Sequence, residues 1–232
     1  VLVLHSITVQ SPLIKSQLGP VFTGYRGINT NLLKLVFKAP FHEFFHRWAE
    51  FTRAKPEDTD ENKVGIEHYN LLFDIIAAEI KPHIEQANDL LTNNVISFDY
   101  VWALFEPGTE IYSQIDGHDR LFILNGASYR ELPDGSKLFI LSCRFVDTDG
   151  EKFGWKTTIL PIGQFENLKP ISELKVLPSY IKSGIEDIRY RLNERGRKFE
   201  ALKGFHHKTD SGPYETRSSL GETPYKLYVS IS

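Results

Sequence analysis

Hydrophobic and polar positions follow two different periods along this chain, and the change between them falls near Thr109. The opening VLVLHSITVQ, Val1 to Gln10, predicts a strand, and in the following SPLIKSQLGPVF Ser11 stands at the N-cap of a helix with Pro12 at its first position. In PFHEFFHRWAEFTRA, Phe41, Phe44, Phe45, Trp48 and Phe51 recur at three- and four-residue spacing. That predicts one helix with a single aromatic stripe. KPEDTDENK, Lys55 to Lys63, is polar, charged and loop-like. IEHYNLLFDIIAAEIKPHIEQANDLLTNN is a second long helical pattern, with a kink or break expected at Pro82. ISFDYVWALFEPG predicts a short amphipathic helix stopped by Pro107 and Gly108.

Beyond Thr109 the period is two. TEIYSQI, RLFILN, SKLFILSCRFVDT and FGWKTTILPI are strand candidates, with PDGS (133–136) and TDGE (148–151) as hairpin turns. Short antiparallel strands at this spacing predict a small barrel or sandwich. SGIEDIRYRLNERGRKFEALKG returns to helix, with Ser183 as cap and Gly204 as its end. A polar loop from His206 and a closing strand, YKLYVSIS, complete the chain. The expected fold class is α+β: a helical part over 1–95 packed on a barrel-like part over 96–232, forming one compact unit with a long helix and a final strand.

Composition narrows the function. The 232 residues are 41% hydrophobic and carry a net charge of −3, so attraction to nucleic acid or anionic membrane is not the default. No apolar run approaches the roughly 20 residues of a membrane-spanning helix. Cys143 is alone and no Asn-x-Ser/Thr sequon occurs, which favours a reducing, intracellular setting, cytoplasm or nucleus. The chain has no Met and opens on a strand pattern, so it is expected to be a piece of a longer protein.

The sharpest chemical candidate is His42-Glu43-Phe44-Phe45-His46, an H-E-x-x-H string. On a helix, that spacing puts two imidazoles on one face for zinc, with the Glu as general base. Against it stand Pro40 just upstream, Arg47 directly after the second His, and the lack of a third ligand at a recognised spacing. The string is expected to pack rather than bind metal, and a zinc peptidase is a remote alternative. His206 and His207 read as a surface loop pair. Asp147 and Asp149 fall in a turn that wants Asp for backbone reasons. Arg189, Arg191, Arg195, Arg197 and Lys198 form the most basic stretch and are the candidate interaction residues. Glu186, Asp187, Glu194 and Glu200 are interleaved with them, which favours an ion-paired helix over a nucleic-acid face. The sequence holds neither a phosphate-binding G-x-x-x-x-G-K-[ST] loop nor a G-x-S-x-G elbow, and no catalytic or cofactor-binding residue is assigned.

Four blocks in fixed order carry a family resemblance: ISFDYVWALFEPGTEIYS, CRFVDTDGEKFGW, ILPIGQFENLKPISELKVLPSYI and RLNERGRKFEALKGFHH. Trp102, Leu104, Phe105, Pro107 and Gly108 match the first block; Asp149, Gly150, Phe153 and Gly154 the second. Phe165, Ile171, Leu174 and Pro178 match the third, and Arg195, Gly196, Lys198, Phe199, His206 and His207 the fourth. Together they resemble the uncharacterised conserved region ahead of the ATPase module in a fungal family of AAA+ ATPases, in which Asn167 stands where a Gly is usual. His46 falls at a familiar position of a looser N-terminal match. The resemblance implies a non-catalytic accessory region that recognises clients or adaptors or braces a ring. Its partners would be its own ATPase module, neighbouring subunits and a protein client, and ATP and Mg would be bound elsewhere in the full-length protein. The residues themselves read structurally. Phe153, Trp155 and Phe165 are expected to line the core or barrel, and Gly196 to mark close packing or a helix break.

Overall fold

The computed structural model describes residues 3–57, 59, 62–148, 152–200, 213–215 and 226–228. Its order is β1 (Ser6–Val9), α1 (Pro12–Val21), β2 (Leu35–Lys38), α2 (His42–His46), α3 (Trp48–Arg53), α4 (Lys63–Thr92), β3 (Val95–Ser97) and a 3-10 helix (Phe98–Leu104). Then follow β4 (Glu110–Ile115), β5 (His118–Glu131), β6 (Lys137–Thr148), β7 (Phe153–Gly163), β8 (Leu168–Pro170), β9 (Val176–Pro178) and α5 (Ile185–Glu200). Last come β10 (Pro213–Glu215) and β11 (Lys226–Tyr228), which pair antiparallel. The TDGE turn beyond Thr148, the end of the last helix at Gly204 and the His206-His207 pair lie outside the described residues.

The α+β class is as expected, but the sheet does not close into a barrel. Its five strands run β7-β6-β5-β4-β9, all antiparallel, with β7 and β9 as separate edges. The chain leaves this sheet after β7: Asn167 takes a φ of 61°, and β8 pairs with β3 instead. Barrel closure would need β9 to meet β7, and three residues ending in Pro178, which has no N–H, give little to pair with an eleven-residue strand.

Two hydrophobic cores result. The helical one holds Phe22, Phe37, Phe41, Phe44, Phe51, Tyr69 and Ile76, among others, and the sheet one holds Ile96, Trp102, Phe122, Phe139, Leu141 and Leu160, among others. Helix α4 serves both. Tyr69, Leu72, Ile76 and Ile80 face the first core at helical spacing, and Leu90 enters the second. Of the kink or break expected at Pro82, the break does not occur: the helix runs on through it. Pro82 takes one amide from the ladder, and apolar packing on both sides of it, at Ile80 and Ala87, holds the helix regardless.

The aromatic stripe also departs from expectation. Ser11 caps α1 as read, its Oγ accepting from the Ile14 amide. PFHEFFHRWAEFTRA, however, forms two short helices that break at Arg47, whose φ of −112° and ψ of 24° are not helical. Phe41, Phe44 and Phe51 are fully buried, whereas Phe45 and Trp48 are half-buried at the edge. On β7 the inward residues are Leu160 and Ile162, so the period of two turns Phe153, Trp155 and Ile159 outward. Phe153 and Trp155 are therefore surface residues, 49% and 58% exposed, and only Phe165 packs against the core as expected. Gly196 neither breaks α5 nor packs closely, since nothing stands within 4 Å of where its Cβ would be.

Candidate functional site

The H-E-x-x-H string folds at the joint between the two cores. His42 lies flat on the Trp102 indole, with ring centroids 3.7 Å apart and an interplanar angle of 14°. His46 meets Trp102 edge-on at 6.1 Å and Tyr25 at 6.4 Å. Phe45 and His83 also pack their rings against Trp102, which is thus the hub where α2, α4 and the 3-10 helix meet. Both imidazoles are held neutral. Burial, reinforced by neighbouring cations and imidazoles, lowers His42 to about 4 and His46 to about 3. Burial also pushes the Glu43 carboxyl above its ordinary range.

Arg47, the residue expected to repel a metal, does something else. It leaves the helix line at the break between α2 and α3 and pairs with Glu106 of the EPG stop, Nη2 to Oε1 at 2.5 Å. That half-buried bridge ties the helical region to the sheet region. It also leaves the neighbouring Glu43 without a counter-ion: Glu43 Oε2 is buried with no hydrogen-bond partner. Among the described residues no three His, Cys, Asp or Glu side chains come together as a metal site.

A cavity of about 640 Å³ opens beside this string, between α2 and β5. Its walls include Tyr25, His42, Glu43, His46, Trp102, Asn125 and Tyr129. Asn125 is the extra residue of a β-bulge: the register passes from Leu124 opposite Cys143 to Gly126 opposite Ser142. Asn125 Oδ1, like Glu43 Oε2, is buried and unpartnered. Neither Asn125 nor Tyr25 stood out in the sequence. The Asn-Gly pair inside an apolar alternation was the available signal, since it marks a turn or a bulge.

The basic stretch folds as α5 on the outer side of the sheet, away from this cavity. Arg189 bonds Glu110 Oε1 through Nη2 at 2.6 Å and also pairs with Glu186. Arg191 reaches Asp119 Oδ2 at 2.8 Å, Arg195 reaches the Asp119 carbonyl, and Arg197 pairs with Glu194. These arginines clamp the helix to β4 and β5 or to itself, and the stretch through Lys198 does not form one uninterrupted basic face. Between α5 and the strands lies a groove of about 870 Å³ whose lining includes Leu121, Arg144, Val146, Trp155 and Phe199. The Arg144 guanidinium sits 4.2 Å over the Trp155 ring. Asp147 is bound to Lys156 across β6 and β7 at 3.0 Å. Cys143 is buried in the sheet core, and burial raises its thiol to about 12, which keeps it an inert thiol.

Comparison with known proteins places one stretch of the chain. Residues 86–182 match a family described as a domain of unknown function, DUF7025. The match runs from the last turns of α4 through β9, covering the sheet core and Trp102 but not α1 to α3 or α5. No curated protein and no solved structure matches the chain.

Proposed function

We propose that this chain is a non-catalytic interaction module that serves as an accessory region of a AAA+ ATPase, engaging clients or adaptors or bracing the ring. The observation that carries the interaction reading is the apolar strip on the outer face of β6 and β7. Val146 and Trp155 are opposite one another in register and 58% exposed each, and Phe153 and Ile159 continue the strip along β7. Phe199 of α5 meets Phe153 at 6.1 Å and extends it. Large apolar side chains grouped on one face favour a protein partner. Among the described residues β7 is also an edge of the sheet with no strand on its outer side, which suits pairing with an added strand. The ATPase context rests on the four-block resemblance alone.

Two experiments test these parts separately. The full-length reading frame is expected to encode a G-x-x-x-x-G-K-[ST] loop, and a frame without one removes the ATPase context. A photo-crosslinking residue at Ile159 in the full-length protein is expected to give defined adducts with the ATPase module, a neighbouring subunit or a client. The same residue at exposed Leu33, on the helical region, should give none. Equal labelling from both positions, or none from either, sinks the interaction reading.

A further inference from the structure

The cavity between α2 and the β5 bulge takes no part in the outer-face reading, and its chemistry is of another kind. Glu43 Oε2 comes from α2 and Asn125 Oδ1 from the bulge, and each is a buried acceptor without a donor. An unmet buried acceptor costs about 1–3 kcal/mol, so two lining one cavity are unusual unless something meets them. Rings of Tyr25, Trp102 and Tyr129 form much of the remaining wall. Carboxylate, amide oxygen and π-faces share one preference, a positively charged group bearing N–H. The nearest cation in sequence, Arg47, reaches Glu106 through Nη2, and its Nε, also buried without a partner, makes no bond to Glu43 Oε2. Arg26 also lines the cavity but makes no hydrogen bond to Glu43.

We propose that this cavity is a binding site for a small organic cation, a guanidinium or primary ammonium group on a short alkyl stem. The charged head donates to Glu43 and Asn125, and the stem lies against the aromatic wall.

Calorimetric titration of the full chain with agmatine and with n-butylamine tests the site and tells the two head groups apart. At least one is expected to bind saturably, one per chain, at concentrations below about 10 mM. N-butylurea has a similar size and N–H donors but no charge, and it should bind at least about tenfold more weakly. Glu43→Gln keeps the shape and removes the charge, and should cost at least about tenfold in affinity. Ala127→Leu enlarges a side chain on the cavity wall, opposite inward-facing Leu141 and away from the buried carboxyl, and should weaken binding at least about tenfold while the thermal transition stays in place. Failure of both cations to bind, equal binding by butylurea, or unchanged binding in Glu43→Gln would each overturn the proposal. Should Glu43→Gln not fold, unchanged binding in Ala127→Leu overturns it instead.

Discussion

The two cores of this protein are built on different rules. In the helical region, positions are set by rings: Phe44 alone contacts Phe22, Phe37 and Phe51 with centroids 5.3, 4.6 and 4.8 Å away. In the sheet region, positions are set by the backbone ladder, and side chains such as Leu141 and Leu160 face one another because the register puts them there. A sheet side chain can be lost while its neighbours keep their hydrogen-bonded places. A ring removed from the helical core takes away the contacts that orient the others. Phe44→Ala should therefore cost about 4 kcal/mol, and Leu141→Ala about 3 kcal/mol. Phe45 packs against both cores and α4 spans them, so urea denaturation should show one transition shifted in both variants. A second transition in either variant would mean that the cores unfold separately.

The joint itself can be strained directly. Gly108, in the EPG stop, has a φ of 96°, donates its amide to the Leu124 carbonyl at 2.8 Å, and would place a Cβ 3.2 Å from the Gly24 carbonyl oxygen. Gly24 belongs to the helical region and Leu124 to the sheet. Gly108→Ala combines a disfavoured backbone with a close approach to main chain, and about 2–3 kcal/mol of destabilisation is expected. A loss under about 0.5 kcal/mol in the same denaturation assay would mean that the two regions can shift apart freely at this point.

This contrast also explains what the sequence disclosed. The strands were legible because a period of two survives burial on one face, and PDGS marked its hairpin correctly. The two-residue Asp116-Gly117 turn, with φ of 52° and 76°, carried an equally plain signal between β4 and β5. Periodicity could not show which face of β7 is solvated, because Phe153 and Trp155 are as apolar as Leu160 and Ile162. In the helical region the aromatic stripe was visible, but not its interruption at Arg47, whose partner Glu106 lies 59 residues away in sequence. The cavity was less legible still. His42, Glu43 and His46 were conspicuous as a string, but their surroundings depend on Trp102 and on a bulge at Asn125, which only the folded sheet brings near.

Acid should distinguish the regions next. The depressed imidazoles of His42 and His46 belong to the joint, and the sheet core has no counterpart. Unfolding returns each to its ordinary value near 6.5, so below that pH the unfolded chain binds protons that the native protein does not. Stability is thus intact above pH 6.5 and falls as pH drops toward the folded values. Glu43 and Glu106 act oppositely, since burial raises their carboxyls and protonating them in the folded state relieves a cost. His42→Phe keeps a ring on Trp102 and removes one of the four titrations. Between pH 7 and pH 5 it should lose about 2 kcal/mol less stability than the parent. Parallel pH profiles for the two proteins would show that His42 protonates freely in the native state.

The smallest effect concerns the turn that keeps the sheet open. Asn167 has a φ of 61°, and Asn is the residue after Gly that best tolerates this conformation. Asn167→Gly should leave stability within about 0.5 kcal/mol of the parent, while Asn167→Ala should cost about 1 kcal/mol. Because this turn delivers β8 to β3, amide exchange should accelerate in Val95–Ser97 and Leu168–Pro170 of the Ala variant while β5 and β6 stay protected. Equal stability of the Ala and Gly variants would mean that the positive φ at this position carries no cost, and that the β3–β8 pairing alone directs the chain there.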